Sequence, residues 1–313
     1  MKKYLLMLLI TIFSLIIIPI SVHAEVYKWV DEKGTIHFTD DYSTIPEKYR
    51  GQSEREPSRK DSEIILPGSE RGKDLKKTKS GDGIIYLIRG QVNLESRQYD
   101  QAISEFTKAI EIDPRDALAY SSRGLAYDLK GQYDQAISDY SKALEINPRD
   151  ASTYISRGGA YTAKGQFDQA ILDYNKAIEI DPRNADAYSS RGDAYEKKGQ
   201  YDQAISDYNK AIEIDPKDAD AYNKLAWLLA TVKTSSLRNG KKAVELALKA
   251  CELSNWKTSA YLDTLAAAYS RTGDFNNAVK WQTKALESPE LAKNTEAQQR
   301  FKFYKERKPW PAD

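Results

Sequence analysis

The 313-residue sequence predicts a mainly all-α fold, a solenoid of stacked helix pairs preceded by a small β-hairpin module. Three observations lead there. Pro114, Pro148, Pro182 and Pro216 are spaced 34 residues apart, and so are Gly90, Gly124, Gly158 and Gly192, and Ala102, Ala136, Ala170 and Ala204. A fixed period in this range marks stacked units rather than a closed globule. Within one unit, Tyr120, Gly124 and Tyr127 fall at i, i+4 and i+7, and Ala136, Tyr140 and Ala143 do the same, so each unit carries two helices. Finally, Gly131 separates the two runs and Pro148 follows the second, which are the places where a helix stops.

Taken from the start, residues 1–24 read as a secretory signal. Lys2 and Lys3 precede an apolar run from Tyr4 to Ile20, and Val22-His23-Ala24 supplies small residues at the cleavage positions. An uncleaved anchor is the alternative, because the run is just long enough to span a bilayer. No cysteine follows it that could carry a lipid. Residues 25–50 read as a hairpin: Tyr27 and Trp29 alternate with Val26 and Lys28, Asp31 to Gly34 form a turn, and Thr35 to Thr39 alternate again. Residues 51–82 hold eight basic and seven acidic side chains, interrupted by Pro57, Pro67, Gly68 and Gly72, and read as a disordered linker.

The array follows, with units at 83–116, 117–150, 151–184 and 185–218, an atypical unit at 219–258 with extra residues around 232–240, and another atypical one at 259–294. Gly131 stops the first helix of its unit. Asp134 is placed to cap the second, and Asp150 to cap the first helix of the next unit. Gly124, Ala136 and Ala143 let helices approach closely while Tyr120, Tyr127 and Tyr140 fill the space around them. Residues 295–313 read as a capping helix and tail, with Phe301 and Tyr304 on its packed side and Pro309 closing it.

Tyr120-x2-Arg123-Gly124-x2-Tyr127, then Ala136-x3-Tyr140, then Pro148, resembles the tetratricopeptide repeat pattern, and the match holds in four consecutive units. Tyrosine stands where that family usually has tryptophan, and Arg89, Arg123, Arg157 and Arg191 stand where leucine is usual. The resemblance implies a right-handed superhelix whose first helices line a concave groove for peptide or protein ligands. In the N-terminal module, Tyr27-Lys-Trp29-x-Asp31-x2-Gly34-x2-His37-Phe38-x-Asp40 resembles a short domain of unknown function found after the signal peptide of many exported Gram-negative proteins. That likeness implies an address, the periplasm or the exterior, and no chemistry.

Composition argues against several classes. Without Lys2 and Lys3 the chain carries 45 basic and 46 acidic side chains, which gives no electrostatic reason to bind nucleic acid. Past residue 24 there is one histidine, His37, and one cysteine, Cys251, so a Cys–His or Ser–His pair would have to join the hairpin to the array across the linker. No zinc-type ligand set and no Gly-rich phosphate loop is present, and no cofactor or metal is predicted. Cys251 takes a place held by Ile110, Leu144, Ile178 and Ile212 elsewhere, and reads as a buried small hydrophobe. The carboxylates recur at helix ends in every unit, as caps do, which leaves an acid-pair hydrolase of envelope polysaccharide as a remote alternative.

The surface remains. Side chains of the first helices not used for packing are Leu87 and Gln91; Ser121, Leu125 and Asp128; Ile155 and Thr162; Ser189, Asp193 and Glu196; and Asn223 and Trp227. This predicted groove is more apolar at its N-terminal end and more acidic towards Asp186, Asp193, Glu196 and Asp220. The lysines and asparagines with which chaperone-binding members of the family hold a terminal carboxylate are not supplied by Leu87 and Gln91. The expected function is a non-enzymatic, exported protein-interaction scaffold for a ligand with a hydrophobic segment and a basic end. The alternative makes the hairpin the binding element and the array a spacer or self-association surface. The four arginines form a ladder, read either as a basic stripe for an acidic partner or, preferred here, as pairs with nearby Asp or Glu packed on tyrosine.

Overall fold

The structure, a computed structural model, describes residues 26–30, 36–39, 45, 47–50, 54–56 and 79–310. It divides into two compact units, residues 1–76 and 77–313. In the first, β1 (Val26–Val30) pairs antiparallel with β2 (Ile36–Thr39), with Trp29 opposite His37, and on its other edge with β3 (Glu54–Glu56). The turn expected between β1 and β2 and the signal expected over 1–24 lie outside the described residues. A short helix, α1 (Glu47–Arg50), completes the unit. The linker expected from residue 51 therefore contains a strand at its start, which sequence reading missed because Glu-Arg-Glu shows no apolar alternation. Most of the rest of that segment also lies outside the described residues.

The second unit is a succession of helix pairs. Its regular part runs α2 (Lys79–Glu95), α3 (Tyr99–Ile112), α4 (Ala117–Leu129), α5 (Tyr133–Ile146), α6 (Ala151–Ala163), α7 (Phe167–Ile180), α8 (Ala185–Lys197) and α9 (Tyr201–Ile214). Helix α2 begins four residues before the expected unit boundary. The turn inside each of the second, third and fourth pairs is made by a glycine in the left-handed region, with φ +81° at Gly131, +74° at Gly165 and +73° at Gly199, whereas in the first pair Arg97 takes this conformation at φ +60°. Each turn between pairs ends on a side chain that caps the next first helix. Asp116 accepts from Leu118 N at 2.9 Å, Asp150 from Ser152 N at 3.1 Å and Asn184 from Ala187 N at 3.0 Å.

The second helices are not capped as expected. Gln132, not Asp134, occupies the N-cap of α5 and makes no side-chain cap bond. Asp134 lies in the first turn and pairs with Lys164 of the following unit, as Asp100 does with Lys130 and Asp168 with Lys198. These aspartates sit near the positive end of a helix and stitch neighbouring units across the surface.

Packing within a pair follows the glycine–tyrosine pattern. A Cβ added at Gly124 would lie 2.9 Å from the Tyr140 ring, at Gly158 2.6 Å from Tyr174, and at Gly192 2.7 Å from Tyr208. The absence of a side chain is what admits each ring, and Tyr140, Tyr174 and Tyr208 are buried. Burial of such a ring contributes about 1.5–3 kcal/mol.

The arginine ladder is structural in three units. Arg123 donates from Nε and Nη2 to the two oxygens of Asp139 at 2.7 and 2.8 Å, and from Nη1 to Thr107 Oγ1 of the preceding unit at 3.0 Å. Arg157 repeats this with Asp173 and Ser141, and Arg191 with Asp207 and Asn175. Tyr120, Tyr154 and Tyr188 each lie beneath the corresponding guanidinium. Each arginine thus joins the two helices of its unit to the unit before.

The first unit departs from this. Glu105 replaces aspartate, its Oε1 accepts from Lys108, and its Oε2 is buried with no hydrogen-bond partner; among the described residues Arg89 has no such partner either. Val92 is 56% exposed, although Ala126, Ala160 and Ala194 at the equivalent place are fully buried.

The C-terminal units are α10 (Ala219–Thr231) with α11 (Gly240–Leu253) and α12 (Ser259–Arg271) with α13 (Phe275–Ala285), the extra residues after α10 containing a 3₁₀ turn at Ser235–Leu237. Cys251 is fully buried in their core, as expected. After a short helix, α14 (Pro289–Ala292), the closing helix α15 (Thr295–Lys305) buries Ala297 and Tyr304. It also inserts Arg300, which donates to both oxygens of Asp263 at 3.1 and 2.7 Å.

Candidate partner-binding groove

Helices α2, α4, α6, α8 and α10 touch their successors directly, while each second helix packs between its own first helix and the next. The first helices therefore form the inner side of the array. Counted from residues 83, 117, 151, 185 and 219, the fifth, ninth and twelfth positions hold the residues predicted from sequence, the second position falls on the same helical stripe, and the twelfth reaches the second helix of its own pair at Tyr174 and Tyr208.

Read along the array, the second position changes from Ile84 and Leu118 to Ser152 and then Asp186 and Asp220. Ile84 and Leu118 are each 49% exposed, which is unusual for large apolar side chains in an otherwise well-buried array. Sequence reading passed over both; aligning the units column by column was the signal that could have found them. Leu87, Gln91, Ser121, Asp128, Ile155, Thr162, Asp193, Glu196, Asn223 and Trp227 are partly buried, consistent with a lining. Leu125 and Ser189 are instead buried, at 8% and 6% exposure, so they belong to the wall rather than the surface. Trp227 packs on the C-terminal core and lies 5.3 Å from the guanidinium of Arg300, so it too is committed to structure.

The acidic end is a connected network. Lys224 donates to Asp193 Oδ2 at 2.8 Å and to Ser189 Oγ at 2.9 Å. The Tyr208 hydroxyl lies 2.8 Å from Asp193 Oδ1 and 2.9 Å from Glu196 Oε2. A phenol has one hydrogen, so it serves only one carboxylate at a time. Burial raises the Glu196 pKa above the usual carboxylate range, and holds the Tyr208 hydroxyl neutral far above its ordinary value. The Tyr261 hydroxyl donates to Asp220. Sequence reading found the acids but not Lys224, Tyr208 or Tyr261, whose contacts cross unit boundaries.

At the twelfth position the same tyrosine reaches a different partner in each unit. Tyr174 meets Thr162 at 3.2 Å and Tyr208 meets Glu196, whereas the buried Tyr140 hydroxyl has no hydrogen bond. Asp128 is pushed up to about 6 by desolvation.

Nothing in this lining resembles a metal centre: among the described residues no group of three or more His, Cys, Asp or Glu side chains is placed to hold an ion, and no helix is long and apolar enough to cross a membrane.

Family models described as TPR repeat match residues 90–129 and 158–199, and models described as tetratricopeptide repeat match 117–150, 185–218, 207–243 and 258–288. A model described as a domain of unknown function, DUF4124, matches residues 13–65, a span that includes β3. No curated protein matches the sequence. Among solved structures, pilF of Pseudomonas aeruginosa is 18% identical over 72% of this chain and 99% of its own, with a TM-score of 0.61. PilW, described as a widely conserved type IV pilus biogenesis factor, is 19% identical over 69% of this chain and 97% of its own, with a TM-score of 0.60. MamA is 27% identical over 54% of this chain and 95% of its own, with a TM-score of 0.48. The first two likenesses are at the level of fold.

Proposed function

We propose, from the premise that the chain belongs to the tetratricopeptide repeat family, that it is a non-enzymatic protein-interaction scaffold of the cell envelope. Its array takes an extended peptide or protein segment along the first helices, apolar residues towards the N-terminal units and a basic end towards the fourth and fifth. The observation that carries this reading is the second-position column, in which exposed Ile84 and Leu118 give way to Asp186 and Asp220. Apolar area left open at one end is a site to be covered. At the other end exposed Asp186, with Glu196 and Asp220, supplies the negative charge that a ligand ammonium or guanidinium meets.

The envelope address rests on the apolar run before Val22-His23-Ala24 and on the DUF4124 match. Whether the run is removed or retained as an anchor, the array faces the same compartment. The β1–β3 unit is read as a separate exported module that leaves ligand binding to the array.

The test is a crosslinking capture from envelope extract with the natural chain beside an Ile84→Asp/Leu118→Asp variant. These two side chains are exposed, so their replacement leaves the core intact; Leu125 or Trp227 would not serve. A partner held by the natural chain and lost by the variant supports the groove. Equal capture by both refutes it, and a further variant without residues 25–50 then shows whether the hairpin module holds the partner.

A further inference from the structure

The twelfth position of the second unit differs from its equivalents in a way that points to a ligand. In units three and four the buried tyrosine hydroxyl is satisfied within the protein, by Thr162 and by Glu196. In unit two the hydroxyl of Tyr140, a residue only 1% exposed, lies near Asp128 and Ser156 and makes no hydrogen bond of normal geometry among the described residues. Among the described residues no lysine or arginine pairs with Asp128: Lys130, just past the end of α4, is turned to Asp100, Arg123 is held by Asp139, and Arg157 from the next unit is held by Asp173. A desolvated carboxylate without a counter-charge, next to a buried hydroxyl without a partner, is an arrangement that costs stability unless something completes it.

The approach to it is apolar. Leu118, Leu125 and Asp128 fall at i, i+7 and i+10 on α4, one stripe of the helix, and Leu118 is the exposed member.

We propose that Asp128 is the seat for one cationic side chain of the bound peptide, its charge meeting the carboxylate beside the Tyr140 hydroxyl, while an apolar residue about four or five positions along the extended peptide covers Leu118, roughly 15 Å away along α4. This rests on the groove reading of the previous section and adds a second, internal basic residue to the ligand. The spacing of the ligand's two charges is then set by the two units between Asp128 and Glu196.

Random-peptide display on the full chain, on Asp128→Asn and on Tyr140→Phe tests this. Peptides selected on the natural chain are expected to share a Lys or Arg about four or five residues from an apolar one, and to bind Asp128→Asn at least about tenfold more weakly. Tyr140→Phe keeps the ring beneath Gly124 and removes only the hydroxyl; it is expected to weaken binding about threefold. Selected peptides that lack the basic residue, or that bind Asp128→Asn as well as the natural chain, overturn the seat. If those peptides are still lost on Leu118→Asp, the groove reading stands without it. If no peptide is selected at all, the groove reading falls and the seat with it.

Discussion

Breaking the Arg157–Asp173 pair tests whether the ladder holds the array together. Arg157→Ala leaves the Asp173 carboxylate in place with its side chain 7% exposed and its two charge-assisted bonds, at 2.8 and 2.7 Å, gone; it also removes the bond to Ser141 and the cover on Tyr154. Uncompensated buried charge costs about 3–5 kcal/mol. Because the arginine side chain itself is 18% exposed and water can partly replace it, we expect the lower end, about 3 kcal/mol. Removing the charge as well, in Arg157→Ala/Asp173→Ala, is expected to cost about 1 kcal/mol, so with any destabilisation by Asp173→Ala alone the double-mutant cycle gives a coupling of at least about 2 kcal/mol. Urea denaturation followed by circular dichroism measures all four corners. A cost below about 1 kcal/mol for Arg157→Ala, or a double mutant as weak as the sum of the singles, would refute the argument and return the ladder to its other reading, a stripe for an acidic partner.

Adjacent glycines in α6 should respond with opposite signs. Gly158→Ala drives a Cβ to 2.6 Å from the Tyr174 ring and is expected to lose about 1–3 kcal/mol, whereas Gly159→Ala meets nothing within 4 Å and should gain up to about 1 kcal/mol by helix propensity; thermal melts decide it. Asp128 titrates near 6 in the folded chain against 3.8 ordinarily, so its ionised form opposes folding: the penalty is absent below the ordinary value and grows as pH rises through 6, to at most about 3 kcal/mol. Asp128→Asn should therefore stabilise the chain at pH 7.5 and leave it unchanged at pH 3.5, and equal effects at both would contradict this. The Cys251 thiol, fully buried and pushed up to about 12, should react with a thiol reagent at the rate of unfolding, a rate that added urea accelerates.

How much of this was legible beforehand depended on how local the determinant was. The repeat boundaries, the glycine turns and the caps at Asp116 and Asp150 rest on residues a few places apart, and the sequence displays them directly. Asp134 misled because capping is one of two roles for an aspartate at a helix start, and only the position of Lys164, 30 residues away, selects between them. Helical periodicity places the expected groove residues at recurring positions of the first helices, a pattern the sequence displays directly. Its particular members were harder: Leu125 and Trp227 look like surface on one helix and are covered by others. Strand β3 was hidden because a strand of charged residues on a sheet edge carries no pattern in one dimension.

The Arg–Asp pairs also bear on how such a chain can change its length. Every bond in the motif spans 16 residues, forward to the aspartate of the same unit or backward to the hydroxyl or amide of the previous one. A duplication or excision of 34 residues, or a multiple of 34, at any boundary among the regular units leaves each donor facing an acceptor of the same kind, whereas any other length puts the backward bond out of register. Unit number is in that sense a free variable, and a gene carrying this pattern can lengthen or shorten its product in whole steps without first losing the fold.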